Sequence, residues 1–221
     1  MGHPPYPDRT MSPRPPRHSR PAAPVTGQVR IIGGQWRNSK LTVPDSPGLR
    51  PTSDRVRETL FNWLMPKLPG AHVLDLFAGS GALGLEALSR GAASATLVER
   101  DPKLAAAIGA AVQRFGATEQ ADVQAADART WLERVPAQRY DIAFVDPPFA
   151  DGLWDHVLAR LPAHLSDDAW LYVESTPQAH AEPGAGWQLH REGSTREVRY
   201  ALYRRQGTAT LGTVSHDTDH A

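Results

Sequence analysis

The chain has 221 residues, of which 40% are hydrophobic, so it can form one α/β domain with a sizeable core but hardly a second one. It contains no cysteine, which excludes disulfides and thiolate chemistry, and its nine histidines are not paired at ligand spacing, so we expect no metal. The formal net charge is zero, yet ten cationic side chains and only two carboxylates lie between Arg9 and Arg57, which favours a polyanionic partner over a merely solvated surface.

Residues 1–27 and 206–221 are predicted to be disordered tails. The first tail is rich in proline and arginine and poor in large apolar side chains, so burial cannot offset the entropy lost on ordering. Proline interrupts it every few residues, and this pattern predicts neither a secretory signal nor a membrane span. We therefore expect a cytoplasmic protein without membrane contact.

Residues 28–68 form a basic N-terminal block. Its first part, VRIIGGQWRNSKLTV, predicts two short strands joined by a turn that contains Gly and Asn. Its second part, DRVRETLFNWLM, predicts an amphipathic helix with Thr52 or Ser53 as the N-cap and Pro66 as the stop. The arginines of this block that could contact a polyanion are Arg30, Arg37, Arg50, Arg55 and Arg57.

Residues 69–205 show alternating strand and helix patterns. The predicted strands are residues 71–77, 94–99, 121–126, 140–145 and 168–175, and the predicted helices are 81–90, 102–115, 128–134 and 152–161. A final pair, residues 187–193 and 195–205, predicts an antiparallel hairpin. The fold class is therefore α/β, with a doubly wound, mostly parallel sheet of seven strands, and ligands are expected at the carboxyl ends of its strands.

The segment VLDLFAGSGALGLEAL joins the first of these strands to a helix through Gly79, Gly81 and Gly84. Glycines at this spacing let the backbone approach a ligand, and the N–H groups at the start of the helix favour an anion. Glu99, at the end of the next strand, is placed to accept hydrogen bonds from two ribose hydroxyls. The pattern fits a nicotinamide dinucleotide as well as S-adenosylmethionine, and a tight turn without a ligand is a third interpretation.

Two acids favour S-adenosylmethionine. Asp75, at the exit of the first strand, could hold an α-ammonium group, which the dinucleotide lacks. Asp127, at the end of the third strand, could accept a hydrogen bond from the adenine amino group. Asp127 also fits the N-cap of the helix that follows, and this interpretation stays open.

The fourth strand ends in Asp146-Pro147-Pro148-Phe149. An amino group on a nucleobase is a poor nucleophile because its lone pair is delocalised into the ring, and acceptors aimed at its hydrogens favour tetrahedral geometry. The Asp146 carboxylate and the Pro147 carbonyl could each accept one N–H, while Phe149 offers a face for stacking. Because the methylated ammonium is acidic once formed, Asp146 needs only an ordinary pKa. A rigid turn without chemistry is the alternative.

The glycine loop followed by Asp-Pro-Pro-Phe resembles methyltransferases that act on exocyclic amino groups. The segments VRIIGGQWRNSKLTVP, PGLRPTSDRVRETLFNWL and DLFAGSGALGLEALSRGA closely resemble the RsmD family, bacterial enzymes for N2 of guanine 966 in 16S ribosomal RNA. The resemblance runs from about residue 29 to about residue 205. It implies a Rossmann-like methyltransferase fold, S-adenosylmethionine as cofactor and, as partner, 16S rRNA in the assembled or assembling small subunit, bound by a monomer.

The resemblance also implies roles for individual residues. The expected cofactor site consists of Asp75, Phe77, Ala78, Gly79, Ser80, Gly81, Glu99, Asp127 and Ala128. The expected catalytic residues, which would hold the target guanine, are Asp146, Pro147 and Phe149. RNA phosphates are expected to contact Arg30, Arg37, Arg50, Arg55 and Arg57.

Two other functions stay open. A DNA adenine N6-methyltransferase would use the same kind of motif, although no further domain for reading a DNA sequence is recognisable. A non-catalytic RNA-binding factor in ribosome assembly could have the same fold, although the intact glycine loop and Asp146 argue against it.

Overall fold

The computed structural model describes residues 27–44, 46, 52–148, 152–179 and 181–207. Two predicted site residues, Arg50 and Phe149, lie outside the described residues. The predicted tails also lie outside them, apart from Gly27, Gln206 and Gly207. Gly27 already belongs to a strand, so the predicted end of the first tail is wrong by one residue.

The N-terminal block has the predicted elements. Strands β1 (Gly27–Arg30) and β2 (Lys40–Val43) pair antiparallel, and we call residues 27–43 the N-terminal hairpin. Helix α1 (Asp54–Leu64) begins after Ser53, whose side chain accepts a hydrogen bond from the Val56 N–H. Of the two candidate caps, Ser53 is therefore the N-cap, and a 3₁₀ turn (Met65–Lys67) that contains Pro66 follows the helix.

The described residues that follow the N-terminal block form the predicted mixed sheet and its helices. Its strands are β3 (His72–Asp75), β4 (Ser94–Glu99), β5 (Ala121–Ala125), β6 (Tyr140–Val145), β7 (Leu165–Ser175), β8 (Trp187–Ser194) and β9 (Arg199–Arg205). Its helices are α2 (Ala82–Ser89), α3 (Pro102–Arg114), α4 (Ala128–Leu132) and α5 (Trp154–Arg160). The strand order is β5-β4-β3-β6-β7-β9-β8, and only the pairs β7–β9 and β9–β8 are antiparallel. The predicted doubly wound α/β sheet with a terminal hairpin is confirmed.

The chain reverses its direction of winding between β3 and β6. From β3 it proceeds through β4 to β5 at one edge, then returns to place β6 on the other side of β3 and β7 beyond it. In doubly wound sheets, a crevice opens at the carboxyl ends of the two strands where the winding reverses, and ligands bind there. The glycine loop follows β3 and the Asp-Pro-Pro segment follows β6, so both predicted motifs lie at this crevice.

Apolar side chains cover both faces of the sheet. The N-terminal hairpin, α1, α2 and α3 pack on one face, where Phe61 meets Phe144 edge to face with ring centroids 6.0 Å apart. Helices α4 and α5 pack on the other face, where Trp131 lies against Tyr140. The N-terminal block thus shares one core with the sheet.

The N-terminal hairpin is fastened to α2 by its turn. The buried Glu86 carboxylate accepts hydrogen bonds from the backbone N–H groups of Ile32 (2.9 Å) and Gly33 (2.8 Å). Gly34 has a φ of +76°, and a Cβ there would lie 1.8 Å from the Ser89 carbonyl oxygen. The turn therefore needs glycine both for its left-handed backbone and for its close approach to the helix.

Arg57 completes this junction, and its predicted role in RNA binding is wrong. Its side chain is 0% exposed; it lies 3.2 Å from Glu86, and it donates to Asp54 (2.7 Å) and to the carbonyl of Arg30 (2.8 Å). A guanidinium enclosed in this way cannot reach a phosphate, since the contact would require breaking a buried ion pair. Charge and position on α1 suggested an exposed residue, but packing against α2 decides its place.

No helix within the described ranges combines the length and the apolar character that crossing a membrane requires.

Candidate active site

A cavity of about 970 Å³ opens at the carboxyl ends of β3, β4, β6 and β7. The predicted cofactor residues Asp75, Phe77, Ala78, Gly79, Ser80, Glu99, Asp127 and Ala128 line it, and so do Asp146 and Pro147. Gly81 is not among the lining residues, although its neighbours Ser80 and Ala82 are; it is the N-cap of α2, with a φ of +73°. The structure therefore brings the two predicted motifs into one cavity.

The glycine loop is shaped by Glu99 and by helix packing. The Glu99 carboxylate accepts hydrogen bonds from the backbone N–H groups of Gly79 and Asp101, each at 2.7 Å. A Cβ at Gly84 would lie 2.7 Å from the Leu97 side chain, so this glycine is required for α2 to pack on β4 rather than for ligand access. Glu99 thus joins the loop after β3 to the end of β4, and its predicted contact with a ribose stays a prediction.

Asp75 is a buried carboxylate at the floor of the cavity. It is 2% exposed and accepts one hydrogen bond, from the Gly84 N–H at 2.9 Å. Burial, together with the negative charge of Glu99, raises its pKa to about 7, although the Gly84 hydrogen bond acts in the opposite direction. An incoming ammonium group would favour the ionised form, so the site suits the ligand group predicted for it.

Asp127 is the N-cap of α4, as one of the two interpretations predicted. Its side chain accepts hydrogen bonds from the backbone N–H groups of Arg129 (3.0 Å) and Thr130 (3.4 Å). The carboxylate also lines the cavity. The capping role is confirmed, and the contact with adenine stays a prediction, since a carboxylate can accept more than two hydrogen bonds.

Asp146 stands at the end of β6 beside a second acid. Loss of solvation, followed by the negative charges of Glu174 and Asp75, raises its pKa well above the usual value, while the Thr52 hydroxyl acts in the opposite direction. The reaction inferred from the sequence needed only an ordinary pKa at Asp146, whereas its surroundings raise that pKa. Its sequence neighbours gave no sign of this, because both acids that act on it lie on other strands.

The sequence interpretation missed Glu174 altogether. It lies on β7, is 4% exposed and lines the cavity. Its Oε2 accepts hydrogen bonds from the hydroxyls of Thr52 (3.1 Å) and Tyr172 (2.8 Å). An acid within the apolar strand DAWLYVES was the available signal, because a buried carboxylate is rare without a partner or a function.

The turn between β8 and β9 also reaches the cavity. Thr195, Glu197 and Val198 line its opening, so the terminal hairpin forms part of the wall. The Thr195 hydroxyl accepts hydrogen bonds from the backbone N–H groups of Glu197 (3.2 Å) and Val198 (3.1 Å), which fixes this turn. Sequence patterns predicted the hairpin but not its contact with the site.

The remaining predicted RNA contacts lie away from the cavity wall. Arg37 and Arg55 are exposed, and Arg30 is exposed with its guanidinium 3.3 Å from Asp54. None of the three is among the described residues that line the cavity. They could contact a polyanion beside the opening, which stays a prediction.

The side chains that line the cavity fit S-adenosylmethionine. Asp75 would hold the α-ammonium, Glu99 the ribose hydroxyls and Asp127 the adenine amino group, with the glycine loop beside the carboxylate. Within the described part of the chain, no group of three or more acidic or histidine side chains is arranged to hold a metal ion.

Sequence comparisons identify relatives along most of the chain. Residues 29–204 match the family model described as Conserved hypothetical protein 95. Ribosomal RNA small subunit methyltransferase D of Escherichia coli (strain K12) is 50% identical over 190 residues, covering 82% of this chain and 92% of that protein. The protein of the same name from Haemophilus influenzae is 42% identical over 182 residues, covering 80% and 94% respectively.

Solved structures agree with these matches. The putative methyltransferase yhhF from Escherichia coli has a TM-score of 0.74 and 48% identity, covering 82% of this chain and 99% of that one. A putative methyltransferase complexed with SAH is only 17% identical but has a TM-score of 0.65, covering 82% of this chain and 56% of that one. The predicted S-adenosylmethionine-dependent methyltransferase fold is confirmed. The chain belongs to the family described as Conserved hypothetical protein 95, which is the RsmD family of ribosomal RNA small subunit methyltransferases.

Proposed function

We propose that the protein transfers a methyl group from S-adenosylmethionine to the exocyclic N2 of a guanine in 16S ribosomal RNA, at guanine 966. It would act as a monomer on the assembled or assembling small subunit. The observation that carries the proposal is the single cavity in which Asp146 and Pro147 lie beside the glycine loop, at neighbouring strand ends. The names of the E. coli and H. influenzae relatives support an rRNA substrate.

The cofactor supplies a methyl group that is already activated on a sulfonium, so the protein has mainly to position the reactants and exclude water. Asp146 Oδ and the Pro147 carbonyl would each accept one hydrogen of the target amino group, which directs the nitrogen lone pair out of the ring plane. Phe149 would stack on the base. A carboxylate with a raised pKa is also suited to take the proton that the methylated nitrogen loses.

The substrate assignment is tested by mapping N2-methylguanine in small-subunit rRNA by mass spectrometry, in cells with and without this gene. We expect one modified guanine, at position 966, to disappear with the gene and to return with the wild-type copy. Unchanged rRNA together with the disappearance of N6-methyladenine from DNA would support the adenine methyltransferase instead. Unchanged nucleic acid of both kinds would favour the non-catalytic assembly factor.

The role of Asp146 is tested with Asp146→Ala in the same cells and with the purified protein. We expect methyl transfer to fall by at least about a hundredfold, which is the usual range for removal of a catalytic group. The affinity for S-adenosylmethionine, measured by calorimetry, should change little because this carboxylate is assigned to the base. Methylation that persists in the variant would contradict the assignment.

A further inference from the structure

The cavity contains a second strand-end carboxylate for which the reaction above has no use. Strands β6 and β7 are parallel, with Val145 opposite Val173. Asp146 and Glu174, which follow these two valines, are therefore opposite each other. Neighbouring strands lie about 5 Å apart, and successive positions alternate between faces, so the two carboxylates project on the same side. Both line the cavity, and after burial the negative charge of Glu174 is the next cause of the raised pKa of Asp146.

Two hydroxyls help to fix the orientation of the Glu174 carboxylate. Those of Thr52 and Tyr172 both donate to Oε2, at 3.1 Å and 2.8 Å. Tyr172 is buried, and burial together with the charges of Glu174 and Asp146 raises its pKa well above the usual value, so it remains a donor at neutral pH. A carboxylate can accept about four hydrogen bonds, so one that hydroxyls hold in place can also accept a hydrogen bond from a base.

A pair of adjacent hydrogen-bond acceptors, such as Asp146 and Glu174, can distinguish guanine from adenine and cytosine, the other bases that carry an amino group. In guanine, the N2 amino group is next to N1–H, so the base presents donors at two neighbouring positions. In adenine and cytosine, the ring nitrogen beside the amino group carries a lone pair instead. A carboxylate at that position would attract guanine N1–H and repel the lone pair of the other two bases, in the way that enzymes read the Watson–Crick edge of a flipped base.

We propose that Glu174 selects guanine by accepting a hydrogen bond from N1–H, while Asp146 and Pro147 hold the N2 amino group. This inference rests on the proposed function and deepens it, because it assigns the choice of base to one side chain. On this inference, Thr52 and Tyr172 are positioning residues, since their hydroxyls orient the Glu174 carboxylate.

The experiment compares guanine with 2-aminopurine at the target nucleotide. The latter keeps the 2-amino group but has a lone pair at N1. Small subunits are reconstituted with ligated rRNA that carries either base, and kcat/KM is measured for wild type, Glu174→Gln, and Glu119→Gln as the control. Glu119 is exposed in the loop before β5, at the opposite edge of the sheet, so its variant makes the same chemical change away from the site.

We expect Glu174→Gln to lower the ratio of kcat/KM for guanine over 2-aminopurine by about tenfold or more, because the new amide can donate to the N1 lone pair. Glu119→Gln should keep the wild-type ratio. Tyr172→Phe preserves the buried ring and should lower the same ratio by a smaller factor. If Glu174→Gln does not fold, the ratio measured for Tyr172→Phe tests the inference. A wild-type ratio in the folded Glu174 or Tyr172 variant would overturn the inference while leaving the proposed function intact. A wild-type protein that cannot methylate the guanine-containing subunit would overturn both.

Discussion

At the scale of single residues, the site is a group of carboxylates that the fold keeps out of water at some cost in stability. Asp75 and Asp146 both have raised pKa values, chiefly because burial removes solvation from their charged forms. Positive or hydrogen-bond-donating ligand groups would relieve that cost. The same groups that destabilise the free protein therefore favour binding of the cofactor and the base.

Asp75 gives a prediction about stability. Its pKa is about 7 in the folded protein and near 3.8 in the unfolded chain. Between pH 3.8 and pH 7 the carboxyl is therefore protonated in the folded state and ionised in the unfolded state. Stability therefore falls as pH rises from about 4 to 7. The side chain of the Asp75→Asn variant cannot ionise. In urea unfolding at pH 8.5, its free energy of unfolding should exceed that of the wild type by about 2 to 4 kcal/mol, and at pH 4 the two proteins should be about equally stable.

The same Asp75→Asn variant should bind S-adenosylmethionine less tightly, by at least about tenfold, because the carboxylate for the ammonium is gone. A variant that was stabilised at high pH but bound the cofactor normally would place the ammonium elsewhere.

Asp146 gives a prediction about pH and rate. The ionised carboxylate is the stronger hydrogen-bond acceptor and the form that can take a proton, so kcat/KM should rise with pH through the raised pKa of Asp146. The groups that act on this pKa are Glu174 and Asp75, which raise it, and Thr52, whose hydroxyl lowers it. Thr52→Val should therefore move the rise in rate to higher pH. Thr118→Val, an exposed position in the loop before β5, should leave the profile unchanged, and an identical profile for both variants would refute the argument.

At the scale of elements, α2 is the part that joins the two functional regions. Its N-terminus follows the glycine loop, and its later turns carry Glu86 and Ser89, whose side chains accept hydrogen bonds from backbone N–H groups of the N-terminal hairpin. Because Glu86 and Arg57 are both fully buried, the junction depends on their pairing. The hairpin is thus placed by α2 and α1 together.

Arg57→Met tests this junction. Without Arg57, the buried Glu86 keeps its ion pair with Arg90 (2.7 Å) and its two backbone N–H donors, but it loses one cation, and the Arg30 carbonyl loses a donor. We therefore expect a loss of about 2 kcal/mol in the free energy of unfolding. Arg55→Met changes the exposed arginine of the same helix turn and should alter stability by less than about 0.5 kcal/mol. Equal stability of the two variants would show that the pair contributes little.

At the scale of the whole molecule, RNA would contact the exposed cations of the N-terminal block. We expect Arg37→Ala with Arg55→Ala to weaken binding of the small subunit and to reduce the slope of log K against log salt concentration by roughly one for each phosphate that is no longer bound. The control is Arg134→Ala with Arg160→Ala, two exposed positions on the face covered by α4 and α5. The same slope for both double variants would place the RNA surface elsewhere.

Local patterns were enough to predict most of the architecture. Strands β4 and β6 have the predicted bounds, and α3 begins at the predicted residue 102, because capping and alternation act within a few residues. The burial of Arg57 and the placement of Glu174 depend on partners 29 and 122 positions away in the chain. No local pattern encodes the partners of Arg57, so a buried arginine was mistaken for a surface one. The position of Glu174 within an apolar strand was a local signal that was overlooked, but its partner Thr52 could not be inferred from it.

The fastening of the N-terminal hairpin to α2 has a geometric consequence for RNA. Eight helical residues span about 12 Å, and the buried pairing of Glu86 and Arg57 makes that span stiff. On the proposed function, the phosphate held by the hairpin and the base held at β6 would be a set distance apart. The modified nucleotide would then be selected by two properties: the identity of its base, and its distance from the phosphate that the hairpin binds.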